Sequence, residues 1–222
     1  MRFTRLVSGL VTTGLVVTAP LVISAAPAEA ATISSTVTID PLSSTQIDYG
    51  DELFISGVVK GADGKTPNSP VSVALVVSTP ANPTWTVVAT DDSAYFSFSD
   101  VKPLSNSTYE VVFGGGTSGF GASANTLTPS ASSPVSVTVS RQIKAKTKGL
   151  QVIGKVLPDY GKKKVKILQV VGKKKTKPYT KVKTNKQGRF TFRAPNKVGF
   201  RFVVVVPADA NFAGTYAEYH VI

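Results

Sequence analysis

From Ala31 onward, apolar and polar residues alternate with a period of two in many short stretches of the chain. The clearest examples are LFISGVV (53–59), WTVVATDDSAYFSF (85–98), LQVIGKV (150–156) and YTKVKTNKQGRFTF (179–192). Such alternation is typical of strands with one buried face. Turn formers such as GADGKTPNSP and VPADAN separate the stretches. No stretch after residue 30 shows a convincing helical period. The pattern therefore predicts an all-β chain.

The alternating stretches form two copies of one module. The segments that match in order are 53–59 with 150–156, 71–73 with 165–167, 85–98 with 179–192, and 109–113 with 202–206. In this alignment Trp85 matches Tyr179, and Phe120 matches Phe212. Matches that keep their order over the whole length point to an internal duplication rather than to chance.

Each copy has about seven short strands with regular turns, the pattern of an immunoglobulin-like β-sandwich. We therefore expect two tandem sandwich domains, module one over residues 31–140 and module two over residues 141–222. The boundary falls near Ser140, where VSVTVS ends as a last strand. The core residues expected for the two modules are Leu53, Ile55, Val73, Trp85, Phe96, Phe98, Tyr109, Val111 and Phe113, then Val152, Val165, Ile167, Val182, Phe190, Phe192 and Phe202.

With its stretches YGDELFISGVV, WTVVATDDSAYFSF, TNKQGRFTF and VVVVPADANFAG, the chain resembles the Ig-like repeat domains of exported bacterial surface proteins, especially those of high-GC Gram-positive bacteria. The resemblance implies a β-sandwich, export, and an adhesive or spacer role. It implies no catalytic or binding residue, because that family shares none. One departure is Ala94, which stands where module two has the turn glycine Gly188, so we expect the two turns to differ.

The N-terminus predicts an export signal over residues 1–30. A basic start precedes an apolar run over residues 6–25, and Ala28 and Ala30 form a small-x-small cleavage site. A retained membrane anchor is the alternative, and the helix breakers within the run argue against it. No second run of membrane length follows, so we expect a mature chain without a transmembrane segment. The expected location is secreted, extracellular or associated with the cell wall.

Residues suited to catalysis are scarce. The chain has no cysteine, which excludes thiol catalysis, and His220 is its only histidine. Asp91 and Asp92 align with Asn185 and Lys186, which predicts turn-forming side chains rather than a catalytic pair. Weak calcium binding at these aspartates stays open. We therefore predict a protein that is not an enzyme and has no cofactor, no metal site and no small-molecule substrate.

The two modules carry opposite charge. Module one has three basic and nine acidic side chains, a formal charge of −6, whereas module two has twenty basic and three acidic side chains, a formal charge of +17. Such asymmetry between halves suggests a polyanionic partner.

Lysines crowd one segment of module two, since residues 161–184 hold ten lysines and no acid. On the predicted strands Lys164 and Lys166 alternate with apolar residues, and Lys181 and Lys183 flank Val182, so we expect these lysines to share the face opposite the core. The second triplet, residues 173–175, is expected in the connection between the strands. We call this surface the lysine ridge; its residues are Lys162, Lys163, Lys164, Lys166, Lys173, Lys174, Lys175, Lys177, Lys181 and Lys183. The ridge is either a solvated face or a contact for a polyanion. The lack of interleaved acid favours a contact, because a merely solubilising surface mixes signs.

The composition of the ridge indicates which polyanion. It has no arginine, and its only aromatic residue, Tyr179, is expected in the core. Lysine alone fits diffuse attraction to an anionic wall polymer such as teichoic acid, to anionic lipid head groups or to extracellular DNA. The leading hypothesis is a surface protein whose module two adheres to wall polymer. The alternatives are a subunit that self-assembles head to tail, with module one of one copy on module two of the next, and a non-specific extracellular nucleic-acid binder.

Overall fold

The structure is a computed structural model that describes residues 30–158, 160–172, 175–197 and 199–221. The chain is all-β, as predicted, and the described part has no helix longer than the 3-10 turn Gly121–Ser123. Its strands are β1 (Thr32–Ile33), β2 (Ser35–Ile39), β3 (Gln46–Asp48), β4 (Leu53–Gly61), β5 (Val73–Ser78), β6 (Thr86–Asp91), β7 (Ser97–Val101), β8 (Ser107–Phe113), β9 (Gly116–Ser118), β10 (Asn125–Leu127), β11 (Ser130–Ala131), β12 (Val135–Ser140), β13 (Gln142–Lys148), β14 (Gln151–Leu157), β15 (Lys164–Val170), β16 (Thr176–Lys183), β17 (Arg189–Arg193), β18 (Arg201–Val206) and β19 (Thr215–His220).

The strands of module one form two main sheets around one buried cluster. One sheet has the order β2-β4-β7 and the other β3-β12-β8-β5-β6, with β11 attached to β8, while β1, β10 and β9 form a small third sheet. The strands of module two form sheets with the orders β13-β14-β17 and β16-β15-β18-β19 around a second buried cluster. Apolar burial between paired sheets is what stabilises such a sandwich.

The same strand order recurs in both halves. Sheet β2-β4-β7 corresponds to β13-β14-β17, and β6-β5-β8-β12 corresponds to β16-β15-β18-β19. In each half a glycine of the central strand lies against a phenylalanine ring: a Cβ added to Gly57 would collide with Phe96, and one added to Gly154 would collide with Phe190. The aligned Gly-Phe pairs therefore pack in the same way.

The prediction that Trp85 lies in the core is wrong. Leu75 pairs with Ala89 but Val76 pairs with Val87, so Val88 is the extra residue of a β-bulge in β6. A bulge shifts the alternation of side chains by one position. The shift turns Trp85 and Val87 outward, and the Trp85 side chain is 42% exposed.

The structure also corrects two pairs of the sequence alignment. In β5 the pairing is interrupted after Leu75, and in β15 it is interrupted after Ile167. Matching these two bulges makes Val73 correspond to Val165, whereas the sequence alignment matched Val73 with Ile167, a difference of two residues. The aligned residues Phe120 and Phe212 differ in environment, since Phe120 is 85% exposed and Phe212 is buried.

The other predicted core residues are buried, except that Val182 is half-buried against the cluster of module two. The two turns differ, as expected. Gly188 has a φ of +72°, a conformation that favours glycine, and Ala94 is not among the residues with positive φ. Both residues nevertheless accept the equivalent hydrogen bond, from Val59 N to Ala94 O and from Val156 N to Gly188 O.

Residues 1–29 lie outside the described part, and Ala30 is exposed. The signal peptide with its cleavage residues Ala28 and Ala30, and the module boundary near Ser140, stay predictions. Within the described residues, none of the helical segments has the length and apolar character needed to cross a membrane.

Candidate polyanion-binding surface

Four lysines of the lysine ridge form a compact block on two neighbouring strands. Lys164 lies directly opposite Lys183 and Lys166 lies opposite Lys181, and all four side chains are exposed. On β15 these lysines alternate with Val165 and Ile167, which are fully buried. The face predicted for these four lysines, opposite the core, is therefore where the structure places them. In the described part of the chain no carboxylate forms an ion pair with any of the four.

Buried Thr184 fixes the segment that precedes the block. Its hydroxyl is hydrogen-bonded to the carbonyl oxygens of Tyr160 and Lys163, and the Lys163 N–H donates to it at 3.1 Å. Lys162 is exposed in the same turn, with a φ of +57°. The side chain of Lys163 turns away from the block, because its Nζ donates to Asp209 Oδ2 at 2.9 Å. Lys163 is therefore engaged in an ion pair.

The rest of the ridge does not extend the block as one face. Ile167 pairs with Thr180 but Leu168 pairs with Pro178, so Tyr179 is the extra residue of a second β-bulge. Beyond it Lys177 lies opposite Gln169, whose partner on β18 is the buried Phe202, so Lys177 is on the other side of the sheet. Lys175 is exposed just before β16, and Lys173 and Lys174 lie outside the described residues.

Tyr179 is core-facing only in part, because its side chain is 37% exposed. Its ring packs against Phe200 and Phe192 at centroid distances of 5.4 and 6.2 Å. Its hydroxyl donates to the carbonyl oxygen of Arg193 on β17 at 2.9 Å. The bulge thus directs this ring between the edges of the two sheets, where it is not free to stack on a ligand.

A second basic face, which the sequence analysis missed, covers the opposite sheet of module two. Lys144 pairs with Lys155 and Lys155 with Arg189, forming one row across β13, β14 and β17. The next outward rows contribute Lys146, then Lys148 and Arg193. The alternation in QIKAKTK and RFTFR signals each strand alone, but only the pairing of distant strands shows that they form one face. We call this surface the β13 face.

A buried arginine joins the two modules at the residue between β12 and β13. Arg141 is only 4% exposed, and its Nη2 donates to Asp209 Oδ2 at 2.9 Å. The guanidinium carbon lies 4.0 Å from the ring centroid of Phe212 and 5.0 Å from that of Tyr160. Partial burial of Asp209 acts to raise its pKa, but the hydrogen bonds from Lys163 and Arg141 outweigh this and hold the pKa below the usual 3.8. No local pattern in the sequence predicts this contact, because Arg141 and Asp209 lie far apart along the chain.

Further hydrogen bonds cross the same junction. Asn106 N donates to Asn211 O at 2.7 Å, and Asn106 Nδ2 donates to Ala210 O at 3.2 Å. Ala213 N donates to Val139 O at 2.9 Å, next to an isolated parallel bridge between Ser140 and Ala213. The end of module one and the β18–β19 connection of module two are therefore in direct contact.

The residues considered for catalysis lie apart. His220 is exposed at the end of β19, as expected for a surface histidine. Asp91 accepts hydrogen bonds from the N–H groups of Ser93 and Ser97, both at 2.9 Å, which is the predicted turn-forming role. Among the described residues, no three His, Cys, Asp or Glu side chains lie together as metal ligands would.

No protein-family model matches the chain, and no curated protein matches it. Among solved structures, it is similar to a DUF4785 family protein from Legionella pneumophila, with 12% identity and a TM-score of 0.38 over 83% of this chain and 55% of that one. It is also similar to a tetra-tandem repeat in the extending region of a large adhesion protein, with 13% identity and a TM-score of 0.30 over 85% of this chain and 49% of that one. A third similar structure is that of the chicken CNTN1 FN1–FN3 domains, with 12% identity and a TM-score of 0.30 over 85% of this chain and 67% of that one. The chain thus spans about half the length of the first two structures, and its fold class follows from its own strand pairing.

Proposed function

We propose that the chain is a non-enzymatic, exported surface protein with an adhesive or spacer role, whose module two associates electrostatically with an anionic cell-wall polymer. The observation that carries this proposal is the block of Lys164, Lys166, Lys181 and Lys183, in which like charges lie directly opposite each other on neighbouring strands.

The block has an energetic penalty that a polyanion removes. Like charges directly opposite each other in a sheet destabilise it. No acidic residue occurs between positions 161 and 184 to offset the repulsion. A chain of phosphates laid across both pairs supplies the missing negative charge and releases its own counterions to solvent.

The chemistry of the block favours a polymer over a shaped ligand. Lysine provides a point charge on a flexible stem, without the planar fork through which arginine recognises one phosphate or base. Binders of single-stranded nucleic acid add aromatic side chains on which bases stack. Within the ridge segment the only ring, Tyr179, is packed against Phe192 and Phe200. The exposed ring of Tyr216 lies on the same face of the sheet, but Val205 separates it from Lys166. A wall polymer with repeated phosphates therefore fits the block better than single-stranded nucleic acid.

Co-sedimentation with purified sacculi of a Gram-positive bacterium tests the proposal. The sacculi are used intact and after extraction of their anionic polymer, over a series of NaCl concentrations. The ridge variant replaces Lys164, Lys166, Lys181 and Lys183 by Gln. A control variant with the same loss of charge replaces the exposed residues Lys60, Lys65, Lys102 and Lys197 by Gln.

We expect the unmodified chain and the control variant to pellet with intact sacculi at low salt and to be released as salt rises. The ridge variant should be released at lower salt, with the slope of log K against log salt reduced by up to about 3, on the basis of roughly 0.7 per phosphate contact. Pelleting that is unaffected by salt, by polymer extraction and by the ridge substitutions would rule the proposal out. If no variant pellets, light scattering at low salt then tests head-to-tail assembly.

A further inference from the structure

Both outer faces of module two are basic, and the two faces meet at one edge of the sandwich. We propose that the lysine block and the β13 face form one continuous basic belt around the edge between β16 and β17, and that a single flexible phosphodiester chain crosses this edge and binds both faces. The inference rests on the proposed function and adds the path and the chemical class of the bound polymer.

The belt follows the strand order of the two sheets. On one sheet it runs from β15, with Lys164 and Lys166, to the edge strand β16, with Lys181 and Lys183. On the other sheet it continues from the edge strand β17, with Arg189 and Arg193, over β14 to the lysines of β13. No acidic residue occurs in any of these five strands.

The edge itself is held closed by Tyr179. β16 and β17 lie side by side, and Tyr179 bridges them through its contact with Phe192 and its hydrogen bond to Arg193 O. The cations of β16 and β17 therefore stand at a fixed separation on either side of the edge. The belt is a property of the folded module and not of two independent faces.

The β13 face offers a place for an individual anionic group. A hollow of about 210 Å³ opens on it, lined by Lys144, Lys146, Lys155 and Arg189 around Ile153 and Gly154. Along β13, Lys144, Lys146 and Lys148 point outward at every second residue, and so recur at intervals of roughly 7 Å. Regularly spaced cations along an edge strand suit a polymer with regularly spaced phosphates.

The geometry favours a flexible chain over a duplex. With strands about 4.8 Å apart and sheets about 10 Å apart, the path from β15 around the edge to β13 covers about 25 Å and reverses direction. Duplex DNA has a persistence length of about 50 nm and does not turn around an edge of this size. A wall polymer of polyol phosphate units is flexible enough to follow the belt.

The binding stoichiometry of glycerol-phosphate oligomers of increasing length tests the belt. Titration calorimetry at low salt is performed on the unmodified chain, on the ridge variant, and on a β13-face variant with Lys144, Lys146, Lys148 and Arg189 replaced by Gln. The variant with Lys60, Lys65, Lys102 and Lys197 replaced by Gln again serves as the control. Chemical denaturation of each variant establishes that it is folded.

We expect each chain to bind two short oligomers, one on each face. Once the length of the oligomer exceeds about 25 Å, each chain should bind only one. For long oligomers, the salt dependence of the affinity should decrease about equally in the β13-face variant and in the ridge variant. The affinity itself should fall at least tenfold in each of the two variants. Two long oligomers per chain, or a β13-face variant that binds like the control, would overturn the belt and leave the proposed function standing. If the ridge variant also binds like the control, the proposed function fails with it.

Discussion

The two halves of the chain share a β-bulge at the same place in the fold but fill it with different side chains. In module one the bulged residue is Val88, which is half-exposed and lines a groove of about 280 Å³ together with Val101, Leu104 and Tyr109. In module two it is Tyr179, whose ring reaches Phe192 and Phe200 and whose hydroxyl bonds to β17. The same backbone feature therefore leaves an open apolar groove in one half and a closed edge in the other.

The outer faces differ in the same sense. The pair of outward residues that corresponds to Lys166 and Lys181 in module two is Ala74 and Thr90 in module one. The two halves share their strand order and a buried core but differ on their outer faces, so charge and edge closure distinguish them. The comparison separates residues that build the sandwich from residues that give module two its binding surface.

The shared core should respond in the same way in both halves, and it gives the largest expected effect. Replacing Phe96 or Phe190 by Ala removes a buried ring that packs against a glycine, and should lower the free energy of unfolding by about 3–5 kcal/mol. Urea denaturation followed by circular dichroism measures it. Phe120→Ala, at an exposed site, should change the free energy by at most about 0.5 kcal/mol. A large loss for one ring and none for the other would break the equivalence of the two cores.

The junction gives the next largest effect. Asp209→Asn removes the charge that compensates buried Arg141, and should lower the free energy of unfolding by at most about 3 kcal/mol at pH 7. This value is the lower limit of the range for breaking a buried ion pair, because Asp209 is partly exposed. Because the pKa of Asp209 is lower in the folded than in the unfolded chain, its contribution is complete above the unfolded value of about 3.8 and is lost as pH falls through the folded value.

Denaturation curves at pH 7 and pH 3 measure this loss. The difference between the unmodified chain and the Asp209→Asn variant should be smaller at pH 3. Asp92→Asn, at an exposed position, is the control and should show little difference at either pH. A difference for Asp209→Asn that grows on acidification would contradict the assignment of the ion pair.

Exchanging the bulge residues tests the comparison directly. Tyr179→Val should open the edge of module two and cost about 2 kcal/mol, from lost packing of a half-exposed ring and one lost hydrogen bond. Val88→Tyr should fill the groove of module one and stabilise it by about 0.5–2 kcal/mol. Free energies of unfolding measure both, and Tyr179→Phe isolates the share of the hydrogen bond. If Val88→Tyr destabilises module one, the two bulges are not interchangeable.

The smallest effect concerns the lysine pairs. Lys181→Glu replaces a like-charge pair with Lys166 by an ion pair, and should stabilise the chain by roughly 0.2–1 kcal/mol at low salt. The gain should shrink in 1 M NaCl, where charges are screened within about 3 Å. Thr90→Glu, at the corresponding position opposite Ala74, should show no gain that depends on salt. Equal salt dependence in the two variants would mean that repulsion within the block is negligible.

The alternation of apolar residues was enough to predict the all-β fold, and nearly all of the core residues predicted from it are buried, because each strand has its own apolar pattern. The position of Trp85 was predicted wrongly, because the bulge at Val88 shifts the alternation of inward and outward side chains in β6. That bulge depends on the pairing of β6 with β5. The bulge at Tyr179 has the same effect on Lys177, which lies on the other side of the sheet from Lys181 and Lys183. Bulges are set by pairing between strands, which a single strand's pattern does not contain.

The candidate surface was predicted in part. The lysine block is local in sequence, so Lys164 and Lys166 could be placed on one face from their spacing. The β13 face combines residues from three strands up to 49 positions apart, such as Lys144 and Arg193, and no local pattern connects them. The ion pairs of Asp209 with Lys163 and Arg141 likewise depend on where loops meet.

The connection between the halves has a mechanical consequence. Arg141 alone separates β12 from β13, and Ser140 runs parallel to Ala213 with the bond from Ala213 N to Val139 O beside it. If module two is fixed to a surface while flow pulls on module one, the tension passes through a strand whose neighbouring hydrogen bonds share the strain. Because the connection is short and hydrogen-bonded, it extends little under load, so a force on module one is transmitted directly to module two.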